Sequence, residues 1–364
     1  MTDTSRQYGN YTVRDYSGQA LSELEEIWRR LECGADMTAF QSYDWQKNLW
    51  LTYRRERCRN LVRKLRYILV SDGQTPVLIA PLEIRSFGLG YKSYGAARGV
   101  YFVGRRGYTD YLNFVYETFV PEALEVLLDY VQKTYRQKRF YFERMLETAA
   151  SYRFLTQRYA CETNPVHCAA LVLPDTFEAY QATLSKSTRQ NIRTAINRAK
   201  RNDIPLTHRL IHDENEQVKE ELLSLNRQRL RKKNQAARKQ MSFAGKIYCS
   251  ISAAWDKLFS AKLDVVHASK HTFSFLVKDG DKLVSFFWGI RNVHQQEYYV
   301  ILVGVREDYE WYSPNISHLY LYLQEYYQQT ENSIRIIDFT RGAEGYKKTI
   351  GCTTRPVSNC YFTK

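Results

Sequence analysis

The residues best suited to chemistry lie close together in the segment 333–352, SIRIIDFTRGAEGYKKTIGC. Its first apolar residues predict a short buried strand that ends on Asp338, and a turn at Gly342 predicts a helix that carries Tyr346 and Lys347. A carboxylate at a strand end and a Tyr-Lys pair one turn into the next helix would meet at one edge of a sheet. Open α/β sheets bind ligands at such an edge, so this segment is the first candidate for an active site.

The composition predicts a globular protein of two domains with anionic partners. The chain has 364 residues, which is more than a single core usually holds. Its hydrophobic content of 44% and charged content of 25% are ordinary, but its formal net charge of +14 is high. Such a charge favours phosphate-bearing cofactors, nucleic acid or an anionic membrane surface, and the count alone does not choose among them.

The sequence favours a cytoplasmic protein without a metal site. No basic segment followed by an apolar run begins the chain, and no stretch approaches the roughly 18 apolar residues of a membrane span. Seven cysteines at irregular spacing, without C-x-x-C, fit reduced thiols better than a disulfide framework. Cys161, His167 and Cys168 are close in the chain but lack the spacing of zinc ligands, so we expect them to be structural.

The two halves of the chain repeat one order of predicted elements. Each half runs strand, helix, helix, hairpin with an Asp-Gly turn, strand, helix, strand, helix, strand. Pro121 and Pro314 open the corresponding helices. A period of about 180 residues is too long for a solenoid and indicates a duplicated domain. We therefore predict an N-terminal domain over residues 1–174 and a C-terminal domain over residues 175–364.

Two basic segments follow the first half. We predict that residues 175–202 form one helix at the junction, with a basic face that contains Lys186, Arg189 and Arg193. A second basic run covers Arg227–Lys239. These faces suit the phosphates of tRNA or of an anionic acceptor, and a solvated surface is the alternative.

Local patterns predict several further elements. Helical spacing predicts helices over Phe40–Tyr53 and from Met241 to about Ser260. Asp110–Val115 is a strand candidate, and Glu297–Val305 is predicted to be an apolar central strand. Ser313-Pro314-Asn315 is predicted to cap a helix that follows this strand.

The order of elements, with a hairpin before a strand whose following helix begins at a cap, resembles the GNAT N-acyltransferase fold. Two such domains in one chain resemble the Fem-type peptidoglycan aminoacyltransferases and, most closely, their CelD-like bacterial relatives. The resemblance implies an α/β protein with mixed sheets in two tandem GNAT-like domains, of which the first is a degenerate scaffold. The motifs that carry it are Phe40-Gln41-Ser42-Tyr43-x-Trp45, Leu184-Ser185-Lys186-Ser187-Thr188-Arg189, Ser313-Pro314-Asn315 and Asp338-Phe339-x-Arg341-Gly342-x-x-x-Tyr346-Lys347.

This resemblance implies an acyltransferase that uses acyl-CoA, with acetyl-CoA favoured, and no metal. The acceptor would be an amine or hydroxyl of an amino sugar or of a cell-envelope polysaccharide precursor. In this fold the pyrophosphate of acyl-CoA meets a helix start, where unpaired N–H groups and the positive end of the helix dipole favour anions. The corresponding residues here are Ser313, Asn315, Ile316 and Ser317.

Acyl transfer requires a deprotonated nucleophile and stabilisation of an oxyanion. Asp338 would orient or deprotonate the acceptor, although a carboxylate that only caps a turn is the alternative. Lys347 would neutralise a phosphate or the oxyanion, and Tyr346 would donate a proton or stack on a sugar. Tyr298 and Tyr299 face opposite sides of the central strand, so one of them should face the cleft. The predicted substrate-binding residues are Arg341, Lys186, Arg189, Arg193 and Trp45.

Two other functions remain open at this point. One is an aminoacyl-tRNA-dependent transferase of the Fem type, and the other is a non-catalytic binder of nucleic acid or of a membrane surface. The long helical hairpin that several Fem-type enzymes insert is not evident, which favours acyl-CoA over tRNA. No G-x-S-x-G, P-loop or H-E-x-x-H motif is present, which argues against hydrolase, NTPase and zinc protease functions. The first copy of the motif, Arg139–Tyr159, lacks the Asp-Phe and Tyr-Lys pairs, so we place the site in the C-terminal domain.

Overall fold

The computed structural model describes residues 4–54, 63–86, 98–104, 109–239, 265–329, 333–342 and 345–364. The chain divides into two compact units. Unit 1 contains Met1–His167 and Arg355–Lys364, and unit 2 contains Cys168–Thr354. The C-terminal strand therefore lies in unit 1, whereas the sequence pattern placed it with the second half of the chain.

Unit 1 is built on a mixed sheet with one parallel pair of strands. Its strands in chain order are β1 Thr4–Tyr8, β2 Tyr11–Ser17, β3 Arg63–Asp72, β4 Thr75–Arg85, β5 Gly99–Phe102 and β6 Arg139–Leu146. They pair in this order, antiparallel throughout except for the parallel pair β5–β6. Its helices are α1 Glu25–Leu31, α2 Tyr43–Tyr53, α3 Pro121–Tyr135 and α4 Ala150–Arg158. Leu124, Leu127, Leu128 and Val131 form the apolar stripe that α3 buries in the core.

Two predictions in this unit are wrong in detail. The predicted helix Phe40–Tyr53 is broken at Ser42, whose side chain accepts a hydrogen bond from the Trp45 N–H and so begins α2. The predicted strand Asp110–Val115 is not formed. Only Val115 bonds to the sheet, through an isolated bridge to Ile79.

Unit 2 repeats the same arrangement. Its strands are the end of β7 Glu162–Val172, β8 Leu206–His212, β9 Thr272–Asp279, β10 Lys282–Asn292, β11 Glu297–Val305 and β12 Ile336–Arg341. The spatial order is β8-β9-β10-β11-β12-β7, and β11–β12 is the parallel pair. Its helices are α5 Phe177–Thr183, α6 Lys186–Arg201, α7 Glu216–Lys239, α8 Pro314–Tyr326 and α9 Gly345–Thr349.

The two basic segments differ from their prediction. Residues 175–202 are two helices, α5 and α6, because Ser185 accepts the Thr188 N–H at 3.1 Å and starts a new helix. The basic run Arg227–Lys239 continues α7. The predicted helix from Met241 to Ser260 lies outside the described residues. Among the helices that the structure describes, none combines the length and hydropathy that a membrane span requires.

The repeated strand order confirms the predicted duplication. Apart from β1, which is additional in unit 1, three antiparallel strands in each unit (β2–β4 or β8–β10) lead to a fourth (β5 or β11). A helix opened by proline connects this fourth strand to a parallel fifth strand (β6 or β12). The sixth strand of each pattern comes from elsewhere in the chain. In unit 1 it is β13 Thr353–Thr363, which follows α9 and pairs with β6, and in unit 2 it is β7, which follows α4 and pairs with β12.

Candidate active site in unit 2

The central feature of unit 2 is an opening between β11 and β12. The two strands pair in parallel at Glu297–Ile336, Tyr298–Ile337 and Tyr299–Asp338, and no further pair follows although both strands continue. The strands therefore diverge beyond Asp338, which lies at the edge of the opening. Asp338 is fully buried, and its Oδ1 accepts the Thr340 N–H at 2.7 Å.

A backbone irregularity in β12 places this carboxylate. Thr340 has φ 54, a left-handed conformation that is costly for a β-branched residue. The pairing of β12 with β7 is interrupted at the same point, between Asp338 and Arg341. This irregularity is a bulge in β12. The Thr340 hydroxyl stabilises it by donating a hydrogen bond of 3.2 Å to the Val300 carbonyl of β11, on the other side of the opening. Strained residues of this kind concentrate at functional sites. Sequence reasoning did not select Thr340 as a site residue, and the only signal available was its position before Arg341-Gly342.

Lys347 holds the turn that follows the bulge. Its ammonium group donates to the carbonyls of Thr340, Arg341 and Gly342, at 3.3, 2.9 and 3.2 Å. The side chain is buried, whereas that of Lys348 is exposed. Lys347 therefore positions the loop beside Asp338, and its predicted contact with a phosphate or an oxyanion remains a prediction.

Burial and the nearby Asp338 carboxylate raise the pKa of Cys352 to about 12, with Lys347 acting in the opposite direction. The Cys352 thiol therefore stays protonated at neutral pH. No nucleophilic role follows for this cysteine, because its pKa is raised first by burial and second by the Asp338 carboxylate.

The register separates the two candidate tyrosines. Tyr299 pairs with Asp338 and shares its face of the sheet, where its hydroxyl donates to the Glu297 carboxylate. Tyr298 lies in the core cluster on the other face, with Ile337. Its hydroxyl lies 2.9 Å from His212 Nε2, in a cavity of about 330 Å³. Only Tyr299 is therefore placed beside Asp338.

The remaining residues of the candidate segment lie at its margin. The Tyr346 ring is half-buried and contacts the Phe339 ring edge-on, with centroids 6.1 Å apart. Arg341 is exposed at the end of β12. No group of three or more His, Cys, Asp or Glu side chains arranged for a metal is found among the described residues.

The start of α8 lies next to the end of β11 in the chain. Ser313 is the N-cap of α8, as predicted, but it has φ 44 and its side chain makes no capping hydrogen bond. The Ser313 carbonyl instead accepts the N–H groups of Ile316 and Ser317 and the Ser317 hydroxyl, each at 3.0 Å. Asn315 is buried and its Nδ2 donates to the Gly304 carbonyl at 3.5 Å. Its Oδ1 has no hydrogen-bond partner among the described residues.

The exposed ring of Trp311 precedes this helix start in the chain, and sequence reasoning did not select it. Trp311 belongs to the 3₁₀ segment Glu307–Tyr312, and 68% of its area is exposed. The Arg198 guanidinium of α6 stacks 4.0 Å from the Trp311 ring and donates to the Trp311 carbonyl at 2.5 Å. The available signal was a tryptophan two residues before the Ser-Pro-Asn motif.

The predicted substrate-binding residues do not form one cluster. Lys186 and Arg193 are exposed on α6. Arg189 donates to the carbonyls of Gln181 and Leu184 at 2.8 and 3.1 Å, so it closes the end of α5. Trp45 is buried in the core of unit 1, where its Nε1 donates to the Thr109 hydroxyl at 2.9 Å. The hydrogen bond to Thr109 gives Trp45 a structural role in unit 1, and its role in substrate binding stays a prediction.

Unit 1 has the same bulge without the carboxylate. Arg144 has φ 59 at the position that corresponds to Thr340, and the pairing of β6 with β13 is interrupted there. Phe142 occupies the place of Asp338, and Phe102 that of Tyr299. The two phenylalanine rings stack with centroids 4.4 Å apart. The polar pair at the edge of the opening therefore occurs in unit 2, and an apolar pair fills the same place in unit 1.

The buried His318 of α8 gives unit 2 a testable pH dependence. Burial and the neighbouring His208, with the two Nδ1 atoms 3.2 Å apart, lower the pKa of His318 to about 4. The unfolded state binds a proton near pH 6.5, so this neutral histidine contributes stability above pH 6.5 that is lost as the pH falls towards 4. We expect His318→Asn to remove about 2.5 kcal/mol of the stability difference between pH 7 and pH 4.5.

Urea unfolding of the wild type and His318→Asn at both pH values measures this difference. The exposed His294, replaced by Asn, is the control and should keep the pH dependence of the wild type. Equal pH dependence in wild type and His318→Asn would contradict the assignment.

Comparison with known proteins agrees with the geometry of unit 2. Residues 186–348, which contain the opening between β11 and β12, match the sequence model of the acetyltransferase (GNAT) domain. This segment is less than half of the chain, and the match shows its similarity to GNAT-type acetyltransferase domains. The predicted GNAT-like acyltransferase is thus confirmed, and GNAT domains use acyl-CoA as the donor.

Two solved structures match nearly the whole chain. A conserved protein of unknown function from Bacteroides thetaiotaomicron is 13% identical, with a TM-score of 0.50, and the match covers 97% of this chain and 99% of that chain. FemX is 11% identical, with a TM-score of 0.56, and the match covers 99% of this chain and 97% of that chain. At such identities the likeness shows the fold, and with the duplicated topology it confirms the predicted tandem GNAT-like architecture. No curated protein matches the chain.

Proposed function

We propose that unit 2 transfers an acyl group, with acetyl favoured, from acyl-CoA to an amine or hydroxyl of a saccharide acceptor. The observation that carries this proposal is the opening between β11 and β12 with the buried Asp338 at its edge. An amino sugar or a cell-envelope polysaccharide precursor is the acceptor class that the CelD-like motifs support.

The start of α8 suits the donor. The positive end of the helix dipole favours the pyrophosphate. Asn315 Oδ1 is a buried acceptor without a partner among the described residues, and the amide N–H groups of a pantetheine arm can satisfy it. Trp311 offers an exposed ring for the adenine, and Arg198 offers a charge for a phosphate.

Asp338 has the central role in the proposed chemistry. The acceptor nitrogen or oxygen attacks the thioester carbon, and Asp338 takes the proton that the acceptor loses. The C–S bond breaks and the CoA thiolate leaves, taking a proton from solvent while Asp338 returns its proton to solvent. Thr340 and Lys347 act through Asp338, because they hold the bulge and the turn that fix its position. Of the two predicted tyrosines of β11, Tyr299 is the one on the same face of the sheet.

A thermal-shift screen with acetyl-CoA, longer acyl-CoAs and charged tRNA tests the donor. A donor at 100 times its Kd should stabilise the protein by about 2.7 kcal/mol, which raises the unfolding midpoint by several degrees. Trp311→Ala and Arg198→Ala should weaken the shift, and Lys200→Ala, at an exposed basic residue on the same helix, should leave it unchanged. A shift by charged tRNA alone would favour the aminoacyl-tRNA-dependent function, and no shift by any acyl-CoA would remove the main support for the proposal.

A further inference from the structure

Two cysteines far apart in the sequence meet in unit 1. The Sγ atoms of Cys161 and Cys360 lie 3.0 Å apart, about 1 Å beyond the length of a disulfide bond. Cys360 belongs to β13, and Cys161 directly precedes β7. The two residues are 199 positions apart in the chain. Nothing in the spacing of the cysteines indicated this contact, because it depends on the placement of the C-terminal strand in unit 1.

The surroundings give the two thiols different reactivity. Cys161 is partly exposed, whereas Cys360 is buried. The hydrogen bond that Cys360 donates lowers the pKa of the Cys161 thiol. The same hydrogen bond, together with burial, raises the pKa of Cys360. Because the thiolate is the reactive form, Cys161 is the cysteine of the pair that reacts first with an oxidant in solution.

We propose that Cys161 and Cys360 are a site of reversible oxidation at which a hydroperoxide produces a disulfide. The Cys161 thiolate attacks the peroxide oxygen, the O–O bond breaks, and after protonation the products are Cys161 sulfenic acid and an alcohol or water. The Cys360 thiol then attacks the sulfenic sulfur, and the S–O bond breaks. An S–S bond forms and water leaves with the Cys360 proton. A dithiol reductant reverses the reaction by thiol–disulfide exchange.

The position of this bond in the chain gives it a structural consequence. The chain leaves unit 1 after His167 and returns to it at Arg355, so all of unit 2 lies between the two cysteines. In the reduced protein, β13 is held to unit 1 by its pairing with β6 and by side-chain packing. The disulfide would fasten β13 to unit 1 covalently, and the strand would stay in place even when unit 2 unfolds. Closing so long a loop also constrains the unfolded chain.

The test uses the full-length protein, reduced and then treated with a small excess of tert-butyl hydroperoxide. Cleavage after Glu147, Glu162 and Glu344 separates Cys161 from Cys168, and tandem mass spectrometry then locates the bond. We expect a crosslink between Cys161 and Cys360 that dithiothreitol removes. The oxidised protein should unfold at a temperature several degrees higher and should show slower amide exchange in β13.

Two variants and one internal control decide the outcome. Cys161→Ser, at the partly exposed position, should fold, form no crosslink and show no rise in unfolding temperature after oxidation. Cys360→Ser should leave Cys161 as a sulfenic acid that dimedone traps. The exposed Cys33 reports the oxidation of a solvent-accessible thiol in the same sample. Sulfenic acid at Cys161 of the wild type without a crosslink to Cys360, or a crosslink from Cys161 to Cys168, would overturn the proposal.

Discussion

Replacement of Asp338 by asparagine is expected to lower kcat/KM for acyl transfer by about 100-fold or more. The substitution keeps the size of the side chain and an oxygen that can accept the Thr340 N–H, but it removes the group that takes a proton from the acceptor. The donor should still bind, because the start of α8 is unchanged. We therefore expect the loss in the rate of transfer and an unchanged thermal shift by acyl-CoA.

The matched control for this variant is Asp281→Asn, which changes an exposed carboxylate beside the β9–β10 turn of the same unit. Steady-state kinetics of both variants should be accompanied by their unfolding midpoints. A turnover of Asp338→Asn within a few-fold of the wild type would mean that Asp338 only shapes the turn. In that case the opening between β11 and β12 would need another proton acceptor.

Much of the fold followed from local signals in the sequence. The Asp-Gly turns fixed both hairpins, since Gly73 and Gly280 adopt φ values of 54 and 56, which glycine reaches at little cost. Pro121 and Pro314 marked the starts of two helices correctly. These features could be predicted because each depends on a few neighbouring residues.

Features that depend on distant parts of the chain could not be predicted in this way. The pairing of β13 with β6, which places the last strand in unit 1, joins segments about 200 residues apart. The left-handed Thr340 contradicts the usual preference of threonine and is fixed by contacts with Val300 and Asp338. A single sequence contains no signal for either feature.

In the candidate site, too, residue types and spacing could be predicted, whereas side-chain directions could not. Asp338, Tyr346 and Lys347 were selected from residue type and spacing, and the structure brings Asp338 and Lys347 to the same bulge. The direction of the Lys347 side chain was not predictable, because its carbonyl acceptors are defined only once the chain turns at Gly342. The choice between Tyr298 and Tyr299 likewise required the register of β11 against β12.

The two units share the bulge but differ in the residues beside it. Both contain a parallel pair of strands that diverge and a non-glycine residue in the left-handed conformation, Arg144 or Thr340. The bulge is thus a property of the duplicated fold and does not by itself imply catalysis. The difference is the pair beside it, which is Phe102 and Phe142 in unit 1 and Tyr299 and Asp338 in unit 2. This contrast is the reason to expect activity from unit 2.

Lys347→Ala is expected to destabilise unit 2 by about 4 kcal/mol, because three carbonyl groups lose a charged donor. This corresponds to a decrease of roughly 10 °C in the unfolding midpoint of the unit. The turn would also no longer fix the position of Asp338, so we expect a fall in kcat even at temperatures at which the variant is folded. Calorimetry and steady-state kinetics on one preparation measure both effects.

Lys348→Ala provides the control, because the neighbouring lysine has the same charge and lies exposed on the same short helix. It should change the unfolding midpoint by no more than a degree or two, which is the ordinary range of surface substitutions. Equal effects of the two substitutions would show that net charge matters and that the bonds of Lys347 to the turn do not. A loss of kcat in Lys347→Ala without any loss of stability would favour direct contact of this ammonium group with the substrate over its role in holding the turn.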